Sequence, residues 1–255
     1  MNRKIIAAFA AILVLPMAGC ANESGEKSKT PESGNEEVSK VVSKSESSPE
    51  ELFEEAVKDA VFAEESEIEP LVTLTKEDEH VTWDEEGRVL LCTWHNYPDS
   101  YPEGEDVTIE WGPVWTFTDK ELETYTEELK RAEDPENRLR QIIAFTPDSE
   151  HSTITAFWVD PADVRRPAYQ SDPTNADMTT SFGDNVDEEF KEWFDDNTLS
   201  SYFYGSYPWT RLGYTYDWAD NGTEYGLTEF IVNSGAEVEV EFTEGIDEFL
   251  EKLCQ

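Results

Sequence analysis

Arg88 to His95 reads RVLLCTWH, a nearly unbroken apolar run between the turn Asp84-Glu85-Glu86-Gly87 and the proline-rich segment Tyr97 to Gly104, YPDSYPEG. Successive residues of a strand point to opposite faces, so a strand with one wet face alternates apolar and polar side chains. A run without alternation places both faces in the dry interior. It predicts a strand at the centre of a sheet covered on both sides. Residues 236–242 carry the other pattern. Ala236, Val238, Val240 and Phe242 alternate with Glu237, Glu239 and Glu241, which predicts an antiparallel strand with one solvated face. Across Asn233-Ser234-Gly235 it is expected to form a hairpin with Leu227–Val232.

Helix starts are marked by caps. Ser48-Pro49-Glu50-Glu51 is a capping box with proline at the first helical position, and predicts a lead-in helix over residues 49–66. Thr118-Asp119-Lys120-Glu121 is a second box, opening a helix with Leu122, Tyr125 and Leu129 on one face. Asp134-Pro135 starts another helix, with Leu139, Ile142 and Ile143 inward. Asp187 starts a helix with the stripe Phe190, Trp193 and Phe194, and Thr243 to Leu253 closes the chain. Further strands are expected at 71–75, 81–83, 107–111, 114–117 and 152–159. Arg165 to Met178 reads as a long irregular loop. Strands and helices do not alternate regularly, so the expected class is α+β: a mainly antiparallel sheet packed by three to five helices, in a single domain over residues 67–255.

The N-terminus is read as an address, not as part of the fold. Arg3 and Lys4 precede an apolar run of eleven residues, Ile5 to Leu15, and then Met17-Ala18-Gly19-Cys20. The run is shorter than the roughly 20 residues a bilayer span needs, and its order matches a secretory leader. The ending resembles the lipobox of bacterial lipoproteins. That resemblance implies a signal peptide over 1–19, removed before Cys20, and a lipid anchor on the Cys20 thiol. Two acyl chains give stable attachment where one is marginal. An ordinary leader with a chance cysteine is the alternative. Residues 20–48 are rich in Ser, Glu and Lys, and such a segment cannot bury enough apolar surface to offset its ordering entropy. It is expected to act as a flexible tether, with an r.m.s. span of roughly 30 Å. The expected location is the cell membrane, lipid-anchored and facing outside the cytoplasm.

Charge excludes some partners. The chain carries 58 acidic against 19 basic residues, a net charge of −39. That field repels phosphate backbones and anionic headgroups, so nucleic acid is excluded as a partner and the membrane is met through the N-terminal lipid only. Cations and basic protein surfaces are attracted, and solubility in a salty or alkaline medium is the plainer reading of the same charge. Cys92 and Cys254 are the thiols outside the leader. Outside the cytosol they could pair, tying the C-terminus to the core, or stay apart as one buried and one tail cysteine. No CxxC, HxxxH or HExxH spacing exists, so zinc is not expected, and no cofactor is implied.

Candidate sites are sparse. Tyr207 to Gly222 reads YPWTRLGYTYDWADNG, with five aromatic residues. Laid out as a strand, 209–218 puts Thr210, Leu212, Tyr214, Tyr216 and Trp218 on a core face. Trp209, Arg211, Gly213, Thr215 and Asp217 take the other. Trp209 as a platform with Arg211 and Asp217 as polar handles is the candidate ligand site, suited to a sugar or a peptide. Arg211 and Asp217 lie roughly 20 Å apart along a straight strand and cannot pair unless Gly213 bends it. Arg165 and Arg166 are adjacent and are expected to bind the protein's own carboxylates, or else a small anion. His95, at the end of the central run, is the histidine a loop could present for catalysis, or simply a strand-end residue. Asp172, Asn175 and Asp177 could ligate calcium but lack the glycine and terminal glutamate of an EF-hand loop. No nucleophile elbow or phosphate loop exists, and no catalytic residue is assigned.

Two segments, RVLLCTWHNYPDSYPEG with the later WGPVWTFT, and YPWTRLGYTYDWADNGTEYGLTEFIV, resemble stretches of a group of bacterial exported proteins. The likeness covers Arg88 to about Val240 and implies that both segments belong to one domain. It brings no activity or binding residue. The expected function is a binding or interaction module for an envelope carbohydrate or peptide. The alternatives are an extracytoplasmic hydrolase and a partner subunit for a basic protein surface.

Overall fold

A computed structural model describes residues 47–205 and 207–255. The expected leader, Cys20 and nearly all of the expected tether lie outside the described residues. The apolar run forms β1 (Val89–His95), buried at all seven positions. With β2 (Asp106–Thr108), β3 (Val114–Thr118), β4 (Thr153–Val159), β5 (Val164–Arg165), β8 (Phe230–Val232) and β9 (Glu237–Gly245) it makes a seven-stranded sheet in the order β2-β9-β4-β1-β3-β8-β5. All its pairings are antiparallel, and β1 is the middle strand. Its register runs from Val89 opposite Val159 to His95 opposite Thr153 on β4, and puts Cys92 opposite Phe117 on β3.

Alternate residues of β1 enter two different cores, which is why the run shows no alternation. Leu90, Cys92 and Trp94 join Ile154, Ala156 and Phe117 under the helical layer. That layer is built by α2 (Asp119–Glu123), α3 (Thr126–Leu129), α4 (Pro135–Ile142) and α6 (Ile246–Leu253), through Leu122, Leu129, Leu139, Ile142, Ile246 and Leu250. Val89 and Leu91 face the other way, with Phe157, Val159, Phe230, Val232 and Val238. Val72, Leu74 and Val81 close that side. Their segments, expected as strands, form none, apart from an isolated bridge between Trp83 and Val89. Each fully buried aliphatic side chain contributes about 1.5–3 kcal/mol, an upper bound because unfolded chains are partly collapsed.

Three expectations change. The hairpin across Asn233-Ser234-Gly235 does not form: the turn is present, but its two arms part. Ile109 takes both the Gly235 amide (to its carbonyl, 2.7 Å) and the Ala236 carbonyl (from its amide, 2.9 Å). β8 then pairs with β3 and β5, and β9 with β4 and β2. The alternation on β9 holds, with Val238 and Val240 buried and Glu237 and Glu241 exposed. The helix expected from Thr118 to Leu129 is two helices, giving six α-helices among the described residues instead of three to five. Thr124 Oγ1 donates to the Glu121 carbonyl at 2.6 Å, a local bond that competes with the helix ladder. Glu121 does not reach back to cap its helix. Its carboxylate turns inward to Tyr225 Oη (2.5 Å) and the Thr228 amide (2.9 Å). The lead-in helix, α1 (Pro49–Asp59), has the expected capping box at Ser48 and Glu51 but ends well before residue 66. It packs Phe53, Ala56 and Ala60 against Tyr216 and Trp218.

A second, two-stranded sheet joins β6 (Tyr214–Tyr216) to β7 (Tyr225–Thr228). β7 passes so close to the end of α4 that a Cβ on Gly226 would lie 2.0 Å from the Ile142 carbonyl oxygen. Beyond the sheet, α5 (Glu188–Leu199) runs into a π-helical turn, Ser200–Gly205. Cys92 and Cys254 are unbridged. Burial pushes the Cys92 thiol pKa well up, with Asp119 adding to it, so Cys92 behaves as a small apolar core residue. No described helix is long and apolar enough to cross a membrane.

Candidate functional site

The aromatic segment is not a ten-residue strand. Only Tyr214–Tyr216 is extended and paired in a ladder, and Arg211 and Gly213 both have positive φ, 60° and 87°. Thr210 Oγ1 closes the resulting loop, accepting from the Leu212 amide (3.1 Å) and donating to the Tyr214 carbonyl (2.7 Å). Both would-be faces are consequently buried, and Trp209, Arg211 and Asp217 go three separate ways. Arg211 caps α1: its Nη2 donates to the carbonyls of Ala60 (2.9 Å) and Val61 (2.7 Å) and its Nη1 to Tyr169 Oη, a cation at a helix C-terminus. Asp217 accepts a two-pronged bond from Arg138 on α4. Neither is available as a ligand handle.

The two adjacent arginines also part. Arg165 on β5 is half-buried, 5.8 Å over the Phe190 ring. Arg166 is fully buried and binds carbonyl oxygens, not the expected carboxylates: Val72 at 2.7 Å, Asp172 at 3.3 Å, and Asn175. Asp172 and Asn175 close local turns through the amides of Thr174 and Asp177. His95 points into the sheet. Its Nδ1 accepts from the Tyr97 amide (2.9 Å), so its proton sits on Nε2 and goes to Thr155 Oγ1 (2.8 Å). Burial, helped by nearby His151, pushes its pKa down to about 4. With both nitrogens occupied it is a structural histidine.

Trp209 leads to the site. Its Nε1 donates to the Pro167 carbonyl (3.2 Å) and to Glu229 Oε1 (3.1 Å). At 5 % exposure it is a wall, not a surface platform. That wall bounds a cavity of about 470 Å³ beneath the helical layer. β1 and β3 supply Trp94, Trp115 and Phe117, the end of α4 supplies Ile143 and Phe145, and the π-helical turn supplies Ser200 and Ser201. Trp115 and Trp209 stand 5.8 Å apart with planes at 87°, two walls meeting at a corner. Trp94 and Phe145 are stacked at 5.3 Å.

Glu229 lines the same cavity from the break between β7 and β8. It is 5 % exposed, and its amide donates to the Gly213 carbonyl (3.0 Å). Burial drives its carboxyl pKa well above the ordinary carboxylate range, against the opposing pull of the Trp209 hydrogen bond. Burial thus favours the neutral form of this carboxyl over the charged one. His151, also in the wall, is pushed below its ordinary value by burial and by Arg140. No Lys or Arg is among the described residues lining the space.

A second, open cleft of about 890 Å³ gathers acids. Asp59, Glu67 and Glu224 bring carboxylate oxygens within 4.8 Å of one another, and Tyr216 Oη donates to Asp59 at 2.9 Å. Burial first, then the charges of Asp59 and Glu67, push Glu224 up to about 7. Burial also raises Glu67. Between about pH 4.5 and 7 the folded state holds a proton on Glu224 that the unfolded chain has released, so stability falls as pH rises through that interval. Scanning calorimetry should therefore show Tm declining from pH 5 to pH 8. Glu224→Gln should raise Tm at pH 8 and leave it nearly unchanged at pH 5. An unchanged decline in that variant would remove Glu224 as its source.

No protein-family model matches the chain, and no curated protein or solved structure matches it either.

Proposed function

We propose that this chain is a ligand-binding module, held at the membrane by a lipid on Cys20 and facing outside the cytoplasm, and that the aromatic cavity is its binding site. We further take residues 67–255 as one domain, with α1 packed against it. One observation carries the reading: a carboxyl, Glu229, lies in a cavity walled by aromatic rings. Small-ligand sites are of this kind, roughly 300–1,000 Å³, mostly apolar, with a few polar groups that fix orientation. Burying an acid is costly, and acids with pKa values shifted by burial cluster at functional sites. The ligand would be a group of an envelope peptide or carbohydrate small enough for the cavity.

The hydrolase reading is weaker. Glu229 has the raised pKa a general acid needs, but it is the one acidic residue among the described residues lining the cavity, so paired-carboxylate chemistry lacks its second member. Attraction of a basic protein surface by the net charge remains the alternative if no small ligand binds. It would show as an on-rate falling steeply with salt.

Ser200 is exposed and lines the cavity mouth, so Ser200→Trp should obstruct the cavity without disturbing the core. In a thermal-shift screen of the full chain, a ligand at 100 times its Kd adds about 2.7 kcal/mol. For a domain of this size that raises Tm by about 5–10 °C. The shift should disappear in Ser200→Trp, while a shift that survives would place binding elsewhere. Cys20→Ala should move the chain from the membrane fraction to the soluble one, and continued membrane association would reject the anchor.

A further inference from the structure

The chemistry of the cavity wall narrows the ligand further, on the reading that this cavity is the binding site. Two of its hydroxyls are already committed. Thr215 Oγ1 donates to the Ile142 carbonyl (2.7 Å) and accepts from the Leu227 amide (2.8 Å), and Thr116 Oγ1 donates to the Phe230 carbonyl (3.2 Å). Thr93, Asn197, Ser200, Ser201 and Tyr207 remain as polar groups of the lining, and a saccharide, with a hydroxyl on most ring carbons, would need a partner for each one it buries. An anion would meet a chain of net charge −39 and a lining without Lys or Arg.

A cation meets the opposite conditions. Ring faces are negative and attract cations, most strongly when the site is desolvated. Trp115, Phe117, Tyr207 and Trp209 supply four such rings beside one carboxyl, while Trp94 and Phe145 stack on each other and against Arg140 and His151. The net charge of the chain concentrates cations at its surface. A quaternary ammonium spreads its charge over methyl groups and has no N–H to satisfy, so rings suffice as its shell. We infer that the cavity takes an organic cation, a quaternary ammonium group seated against the rings with the Glu229 carboxylate as its counter-ion.

Where Glu229 is protonated in the free protein, binding exchanges one cation for one proton. The O–H bond of Glu229 breaks, the electron pair stays on the carboxylate, and the proton leaves to solvent as the ammonium arrives. The titratable groups around Glu229 do not supply that proton. Tyr202 and Tyr207 are pushed up, by burial first, and stay neutral, and His151 is pushed down towards its neutral form, by burial first and then by Arg140. Apparent affinity should rise about tenfold per pH unit while Glu229 is protonated in the free protein.

The test uses choline and its uncharged isostere 3,3-dimethylbutan-1-ol as probes, titrated into the full chain by calorimetry at pH 6, 7 and 8. Two buffers of different ionisation enthalpy count the protons. Choline should bind more tightly as pH rises, with proton release that follows the protonated fraction of Glu229. The isostere should bind at least tenfold more weakly at pH 8, with no pH dependence. Glu229→Gln should weaken choline by thirtyfold or more and abolish the proton release. Should that variant fail to fold, the isostere comparison and the proton count on the native chain decide alone. Equal binding of both probes, blocked by Ser200→Trp, overturns the cation and leaves the cavity as the site. No binding of either probe overturns the cation as well. Choline binding undiminished by both Ser200→Trp and Glu229→Gln assigns it to the acidic surface and overturns the proposal.

Discussion

Replacing Asp217 by alanine should cost about 3–5 kcal/mol of stability, because it removes the buried counter-charge of the Arg138 guanidinium and leaves only the half-exposed Glu128 on its Nε. Asp217 is 1 % exposed. It accepts from Arg138 Nη1 at 2.7 Å and from Nη2, from Asn221 Nδ2 at 2.8 Å and from the Ala219 amide at 3.1 Å. Burial works against the Arg138 charge. The bonds from Asp217 and Glu128 outweigh it, and the guanidinium is held charged more firmly than in water. Deleting one partner removes that compensation and keeps the burial. For about 200 residues the loss should lower Tm by about 6–20 °C. Replacing both partners, with Arg138→Met and Asp217→Leu, should recover most of it, because well-packed apolar groups stand in for a buried pair at little cost. Chemical denaturation measures both. If Asp217→Ala costs less than about 1 kcal/mol, the pair is incidental to the fold.

The architecture was legible where one residue pattern decides one structural question. The unalternated β1 could only be central, and it is the fourth of seven strands. The caps at Ser48, Asp134 and Asp187 each accept the amide bonds their residue types offer. Errors arose where a local signal met a tertiary competitor. Asn233-Ser234-Gly235 is good turn chemistry, but whether the arms pair depends on Ile109, more than a hundred residues earlier. Glu121 fits a capping box, yet Tyr225 and the Thr228 amide hold it instead.

The site was half legible. Trp209 could be singled out as a ring with a ligand role, but pairing it with Arg211 and Asp217 assumed a straight strand. A positive φ at Arg211 has no signal in the residue itself, and it follows from the bonds its side chain makes to α1. Glu229 went unnoticed among 58 acids. A signal was there: it is the charged residue inside the otherwise uncharged run Leu227 to Val232, LTEFIV. An acid in a strand core marks either an ion pair or a site, and only the three-dimensional arrangement shows which. The trio Asp59, Glu67 and Glu224 was out of reach, because the chain separates Glu224 from its partners by some 150 residues.

Arg166→Met should be nearly as damaging as loss of Asp217, for a different physical reason. Arg166 is fully buried, and burial lowers its pKa to about 10, which still leaves it charged at pH 7. Its fork ties three stretches of backbone together. It reaches the Val72 carbonyl on one side and those of Asp172, Pro173 and Asn175 on the other, while its own segment begins at β5. Its stem fills the space beside Gly213, where a Cβ would lie 2.6 Å from Arg166 Cδ. Methionine keeps that stem and removes every donor, leaving buried carbonyls short of partners at about 1–3 kcal/mol each. The expected loss is about 3 kcal/mol or more. Arg166→Lys should rescue little of it, because one ammonium cannot span carbonyls that the planar fork reaches together. Hydrogen exchange localises the effect. Leu74 donates its amide to the Pro173 carbonyl at 2.9 Å, so that amide should lose protection in Arg166→Met before the β1 amides do. If Arg166→Lys is as stable as the native chain, a buried positive charge suffices there and the fork geometry is not what holds residues 72–74 to 172–175.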